Sequence, residues 1–127
     1  MSNERPTLVV IIEDDPGSRS ALGRLMHAGG FEPALFDSAE TFMSSPPNRA
    51  PLCVIVDVQL TGMSGLDLQQ RLRGESREVP VIVVTGNRAE GIRERALQAG
   101  CAAFLWKPFC PDALLTLLRS MASSSPN

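Results

Sequence analysis

Four apolar runs constrain this chain more than any other feature: LVVII at residues 8–12, CVIV at 53–56, VIVV at 81–84 and AFLW at 103–106. Runs this short, mostly β-branched and unbroken by polar residues, suit strands covered on both faces, as in a parallel sheet with helices on either side. In such a sheet the C-terminal strand ends meet along one edge, and ligands bind there at the topological switch point. The residues just after each run are therefore informative. The first run leads into Glu13, Asp14 and Asp15, the second into Asp57, the third into Thr85, and the fourth into Lys107 and Pro108. An acidic cluster, a lone carboxylate, a hydroxyl and an ammonium would converge on one pocket, able to hold a divalent cation and a phosphoryl group.

Lys107 stands out further because the other eleven basic residues are all Arg. A compact, flexible ammonium differs from a planar guanidinium in geometry and hydration. Its place at a strand end before Pro108, and not on a helix surface, favours a specific role.

Between the runs, helical patterns alternate with the strands. Strand one is expected over Thr7–Ile12. A helix follows from Pro16, a good first-turn residue, to Ala28, with an apolar stripe of Ala21, Leu22, Leu25 and Met26 and a stop at Gly29-Gly30. Phe31–Phe36 reads as a weaker strand, and Pro33 suits an edge position. Ser38 caps a short helix over Ala39–Met43, with Thr41 at the position three residues on. Strand three is expected at Leu52–Val56, followed by a loop with Gly62 and Gly65 and a helix through Leu66, Leu68 and Leu72. Pro80 opens strand four. A fourth helix is expected from Arg88 to Ala99, a fifth strand at Ala102–Trp106, and a last helix from Asp112 through Leu114, Leu115, Leu117, Leu118 and Met121. The tail SSSPN is expected to fray.

At 127 residues the chain suits one domain with one core. A composition 43% hydrophobic and 20% charged is that of an ordinary globular protein, and a net charge of -2 argues against a general nucleic-acid-binding surface. The apolar runs are too short to span a bilayer, and MSNERPT has no secretory-signal pattern, so a cytoplasmic location is expected. Cys53, Cys101 and Cys110 lie beside apolar stretches without a CxxC pair and read as buried free thiols. His27 reads as a surface residue near a helix end. Arg88, Arg93 and Arg95 read as a solvated face of the fourth helix, or a charged dimer or partner surface.

The acidic cluster has a specific electrostatic cost. Two like charges about 4 Å apart repel by roughly 4 kcal/mol at an effective dielectric of 20. A divalent cation relieves this, and Mg²⁺ is typically held by one or two carboxylates plus phosphate. Taken alone, Glu13-Asp14-Asp15 would simply favour the start of the next helix. Taken with Asp57 after a second buried run, it favours a metal site. Asp57 could then act as nucleophile toward phosphorus, with Lys107 and the Thr85 hydroxyl meeting other phosphoryl oxygens.

The segments IIEDDPGSR, VIVDVQLTGMSG, VIVVTG and FLWKPF, with the spacings from Asp57 back to the acidic pair and on to Thr85 and Lys107, resemble the receiver domain of bacterial two-component response regulators, and those of FixJ-like transcriptional regulators most. The resemblance runs from about Thr7 to Met121. It implies a flavodoxin-like (CheY-like), doubly wound α/β fold with five parallel strands in the order 2-1-3-4-5 and five helices, the whole chain forming a single receiver domain. It implies Asp57 as phosphoacceptor, Asp14 as a direct Mg²⁺ ligand with Glu13 as its acidic partner, and the Gln59 backbone carbonyl as a third protein ligand. Thr85 and Lys107 match the switch hydroxyl and the phosphate-binding lysine, Phe104 the switch aromatic, and Pro108 a proline preceded by a cis bond. The implied function is a phosphorylation-activated signalling switch and not an enzyme acting on external substrates. Its implied partners are a histidine kinase or phosphotransfer protein, and a second copy through the fourth helix, fifth strand and fifth helix. Thr61 stands where many members have Pro, Glu13 where Asp is commoner, and Trp106 is a large neighbour for Lys107. None removes a required group.

Three other functions compete. A haloacid-dehalogenase-type phosphatase would need a DxD near the start of the fold, whereas here Asp57-Val58-Gln59 follows the third strand. A flavodoxin-like nucleotide binder would need a hydroxyl- and amide-rich first loop, which Glu13-Asp14-Asp15 is not. A phosphorylation-independent interaction module of the same fold usually loses site residues that this chain retains.

Overall fold

The computed structural model describes residues 5–58, 64–74, 79–86 and 88–124. Strand and helix alternate five times: β1 (Leu8–Ile12), α1 (Pro16–Ala28), β2 (Glu32–Phe36), α2 (Ala39–Ser44), β3 (Cys53–Asp57), α3 (Gly65–Gly74), β4 (Val81–Thr85), α4 (Ile92–Gln98), β5 (Ala103–Trp106) and α5 (Pro111–Ser124). The strands form one sheet in the order β2-β1-β3-β4-β5, and every neighbouring pair is parallel. The unbroken apolar runs β1, β3 and β4 are buried along their whole length, while β2 and β5, at the borders, are only partly covered.

Because side chains alternate across a strand, each central strand feeds two cores. Val10, Ile12, Val54, Val56, Val81 and Val83 meet α2, α3 and α4 through Phe42, Leu68, Leu72, Ile92 and Ala96. Val9, Ile11, Cys53, Ile55, Ile82 and Val84 meet α1 and α5 through Leu22, Met26, Leu114, Leu115 and Leu118. Each Val, Leu, Ile, Phe or Met among them contributes about 1.5–3 kcal/mol when fully buried, enough to fix which strand face meets which helices.

Local signals set the helix ends. Asp15 caps α1, its carboxylate accepting from the Ser18 N–H at 2.8 Å, with Pro16 as the first helical residue. Gly30 leaves α1 at φ 89°, and the Phe31 N–H reaches the Met26 carbonyl at 2.8 Å. Ser38 caps α2 by accepting from the Thr41 N–H at 3.0 Å, and the two hydroxyls are 2.8 Å apart.

The structure corrects three expectations. Helix α4 begins at Ile92 and not at Arg88, because Gly91 adopts a left-handed φ of 83° that a continuing helix cannot accommodate. Arg88 therefore lies in the loop before α4, its guanidinium carbon 4.5 Å from the centre of the Trp106 ring. Of the three free thiols only Cys53 is buried. Cys101 is half-buried and Cys110, just before α5, is exposed. Burial pushes the Cys53 thiol up to about 12.

Candidate functional site

The carboxyl ends of the central strands and β5 bring most of the expected residues to one edge. Glu13 follows β1 and is 2% exposed, although it is charged. Its backbone is held twice: its N–H donates to the Phe36 carbonyl at 3.0 Å, and its carbonyl accepts from Arg19 Nη1 at 2.9 Å. Asp57 is the last residue of β3 and 7% exposed. Thr85 ends β4 and is fully buried.

Lys107 joins this edge from β5. Its Nζ donates to Glu13 Oε1 at 2.6 Å and to Asp57 Oδ2 at 2.9 Å, so one ammonium bridges two nearly buried carboxylates. Desolvation alone would lower the Lys107 pKa. Its own hydrogen bonds to Asp57 and Glu13, and their negative charges, outweigh it and hold the ammonium above the usual lysine range. The backbone couples Lys107 to Thr85 as well. Its N–H donates to the Thr85 carbonyl at 2.9 Å, and Thr85 is in register with Trp106. The Lys107–Pro108 peptide bond is cis.

The acidic run divides its work. Asp15 is exposed and committed to capping α1, with its carboxyl held below the usual range by hydrogen bonds from Ser18. Asp14 is half-buried between the cap and Glu13. Gln59, with Thr61 and Gly62, lies outside the described residues. Phe104 is half-buried against the core shared with α4 and meets Trp106 edge-to-face at 4.8 Å and 77°. Trp106 thus shares its strand face with Phe104, as strand alternation requires.

Two contributors were not singled out in the sequence. A Cβ at Gly65, the first residue of α3, would lie 2.7 Å from the Asp57 carbonyl oxygen and 3.3 Å from the Val58 Cα. The absent side chain lets α3 start directly against the backbone of Asp57. Arg19 fixes the Glu13 carbonyl from α1. A glycine among loop residues and one of eleven arginines carry no distinguishing local pattern. Only the tertiary fold brings them to the site.

Comparison with known proteins agrees with this geometry. Residues 9–119 match the family described as the response regulator receiver domain. The transcriptional regulatory protein FixJ of Bradyrhizobium diazoefficiens is 31% identical over 112 residues, covering 88% of this chain and 55% of FixJ. The response regulator protein TodT of Pseudomonas putida is 31% identical over 124 residues, covering 98% of this chain and 55% of TodT. The chain thus spans about half the length of these relatives. Among solved structures, FixJ-N superposes with a TM-score of 0.85 at 24% identity, covering 100% of this chain and 99% of that one, a likeness of fold. The receiver domain of the sensor histidine kinase PA1611 of Pseudomonas aeruginosa, solved with magnesium in its active-site cleft, gives a TM-score of 0.83 at 25% identity, covering 94% and 99%. The chain belongs to the response regulator receiver domain family, the phosphorylation-activated switches of two-component systems. This leaves the phosphatase and nucleotide-binder readings without support.

Proposed function

We propose that Asp57 accepts the phosphoryl group, in a Mg²⁺-dependent reaction, from a histidine kinase or phosphotransfer protein. The observation that carries this reading is the Lys107 ammonium shared between Glu13 and Asp57 at the buried strand ends. An Asp57 carboxylate oxygen attacks phosphorus and forms a new P–O bond as the donor's P–N bond, or P–O bond for a small acyl phosphate donor, breaks. Lys107 neutralises one phosphoryl oxygen and the Thr85 hydroxyl donates to another.

The donor set fits the metal. Among the described residues no three acidic, His or Cys side chains form a cage by themselves. Glu13, Asp14 and Asp57 are nonetheless hard oxygen donors, and a hard divalent cation is typically held by one or two carboxylates together with phosphate and water. When bound, Mg²⁺ supplies charge neutralisation for the phosphoryl oxygens. In this reading Asp14 and Asp57 are direct ligands, Glu13 is their acidic partner and the Gln59 carbonyl completes the protein set. Phe104 reads the movement of Thr85, and the α4–β5–α5 surface forms a homodimer in response.

The domain then acts in the cytoplasm as the receiver part of a FixJ-like transcriptional regulator, signalling and not turning over external phosphomonoesters. It contacts neither nucleic acid nor membrane itself. No helix among the described residues is long and apolar enough to cross a bilayer.

Incubation with Mg²⁺ and acetyl phosphate should add one hydroxylamine-labile phosphoryl group at Asp57. Equal labelling of Asp57→Asn at the same site would sink the assignment. Absence of labelling in wild type would return the chain to the class of phosphorylation-independent modules.

A further inference from the structure

The loop between β4 and α4 is tied back to the site at a point that takes no part in the chemistry. Trp106 lies opposite Thr85 in the sheet register and one residue before Lys107. Its ring is covered on one side by the Arg88 guanidinium, whose central carbon is 4.5 Å from the ring centroid. It also meets Phe104 edge-to-face at 4.8 Å, and Phe104 rests on the core beneath α4. Arg88, Trp106, Phe104 and the core therefore form one continuous stack of contacts, face-on at Arg88 and edge-to-face at Phe104. The main chain that leaves Thr85 is anchored first by β4, then by Arg88 on the stack, then by buried Ile92 at the start of α4.

We propose that Arg88 and Trp106 position the loop behind Thr85 in the unphosphorylated arrangement, so that their contact sets how strongly the phosphoryl group must pull to throw the switch. The inference rests on the receiver reading above. In the described arrangement the Lys107 ammonium donates directly to Glu13 and Asp57, contacts for which a phosphoryl group on Asp57 would compete. A phosphoryl group on Asp57 would draw Thr85 toward itself, and the loop that carries Arg88 would move with it. Trp106 is held by the β5 pairing and by Phe104, so the Arg88–Trp106 contact is the one that must slide or break. An interaction made in only one of two states biases the equilibrium by its full differential strength. A guanidinium on an indole at an exposed site shifts such an equilibrium by about two- to fivefold. Arg suits the task because its planar head stacks on an aromatic face, which an ammonium does not do.

The test is a double-mutant cycle with R88Q, W106L and the pair, reading the apparent Kd for beryllofluoride at saturating Mg²⁺ by ¹⁹F NMR. R88Q should bind this phosphoryl mimic about two- to fivefold more tightly than wild type, and the gain should vanish in the W106L background. If W106L does not fold, W106F takes its place and should shrink the R88Q effect. Without any ligand, R88Q should also raise quenching of the single Trp by acrylamide. Unchanged or weaker beryllofluoride binding by R88Q, full additivity in the Trp106 variant, or unchanged quenching each overturns the positioning role. Failure of wild type to bind beryllofluoride overturns the receiver reading and the positioning role with it. Binding by wild type with an inert R88Q overturns the positioning role alone.

Discussion

Lys107 holds together two acids that would otherwise repel. Glu13 and Asp57 are almost entirely buried, and the ammonium between them is the charge that makes their burial tolerable. Lys107→Ala should destabilise the protein by about 1–3 kcal/mol in chemical denaturation, since it leaves desolvated carboxylates without that partner. The same variant should bind Mg²⁺ at least as tightly as wild type, because the cation relieves the exposed repulsion, yet it should be phosphorylated slowly. Weak Mg²⁺ binding by Lys107→Ala would mean the lysine orders the carboxylates and does not merely neutralise them. The sign of the pH dependence comes from the upward shift of Lys107. Its contribution is fully present below the unfolded lysine value of about 10.4 and is lost as pH rises through the higher native value. The stability gap between wild type and Lys107→Ala should therefore be flat across neutral pH and close on the alkaline side. Asp14 and Asp15 separate in the same spirit. Asp14→Ala should weaken Mg²⁺ binding, whereas Asp15→Ala should loosen the start of α1 and leave phosphorylation near wild type. These side chains were legible in the sequence because each closes an apolar run. The exposure of Cys110 was not, because a thiol beside Pro and Phe reads the same whether the loop faces in or out. Thiol titration should modify Cys110 readily and Cys53 only on unfolding.

At the scale of elements, the start of α3 lies close against the end of β3, where a Cβ at Gly65 would come 2.7 Å from the Asp57 carbonyl oxygen. Leu68 and Leu72 anchor the helix in the core, Ser64 and Asp67 exchange capping hydrogen bonds at its start, and β3 is paired on both sides. Neither partner has room to yield. Gly65→Ala should cost about 1–3 kcal/mol as overpacking and also slow phosphorylation, since the displaced backbone is that of Asp57. Gly29→Ala is the useful contrast. Its Cβ would meet Leu115 Cδ2 at 2.5 Å, a side-chain end that can turn away, at the C-terminal end of α1. Acetyl phosphate kinetics on both variants at matched folded fraction would separate them, and equal rates would remove Gly65 from the account of Asp57. Caps and stops such as Ser38, Pro16 and Gly29-Gly30 made most helix boundaries readable in advance. The start of α4 was not readable because helix-forming residues at 88–90 hide the left-handed Gly91 that delays it.

Across the whole molecule, the fivefold alternation of strand and helix was legible because the central strands are continuous apolar runs with no competing helical period. The order of the strands was not written in those periods and came from resemblance. The two cores then place the α4 side of the sheet apart from the α1–α5 side, and α4 presents Leu97, 46% exposed, beside Arg93 and Glu94. Beryllofluoride with Mg²⁺ should shift wild type toward dimer in sedimentation velocity, and Leu97→Glu should hold it monomeric while leaving phosphorylation intact. A dimer that persists in Leu97→Glu would place the contact elsewhere.

The borders of the sheet differ in a way that bears on such assembly. In β2 the Glu32 N–H and the Phe36 carbonyl face β1, so Pro33 and Leu35 face outward. Proline offers no N–H, which leaves that rim of Glu32–Phe36 with Leu35 as its single outward donor. Glu32 is also pinned by Arg5 and Arg49. A stray strand finds little to zip onto there, so the sheet is sealed against growth on the side remote from the lysine. Its other rim, β5, carries Phe104 and Trp106 just ahead of Lys107, so a copy docking along it would lie beside the strand that leads directly into the Lys107–Glu13–Asp57 cluster.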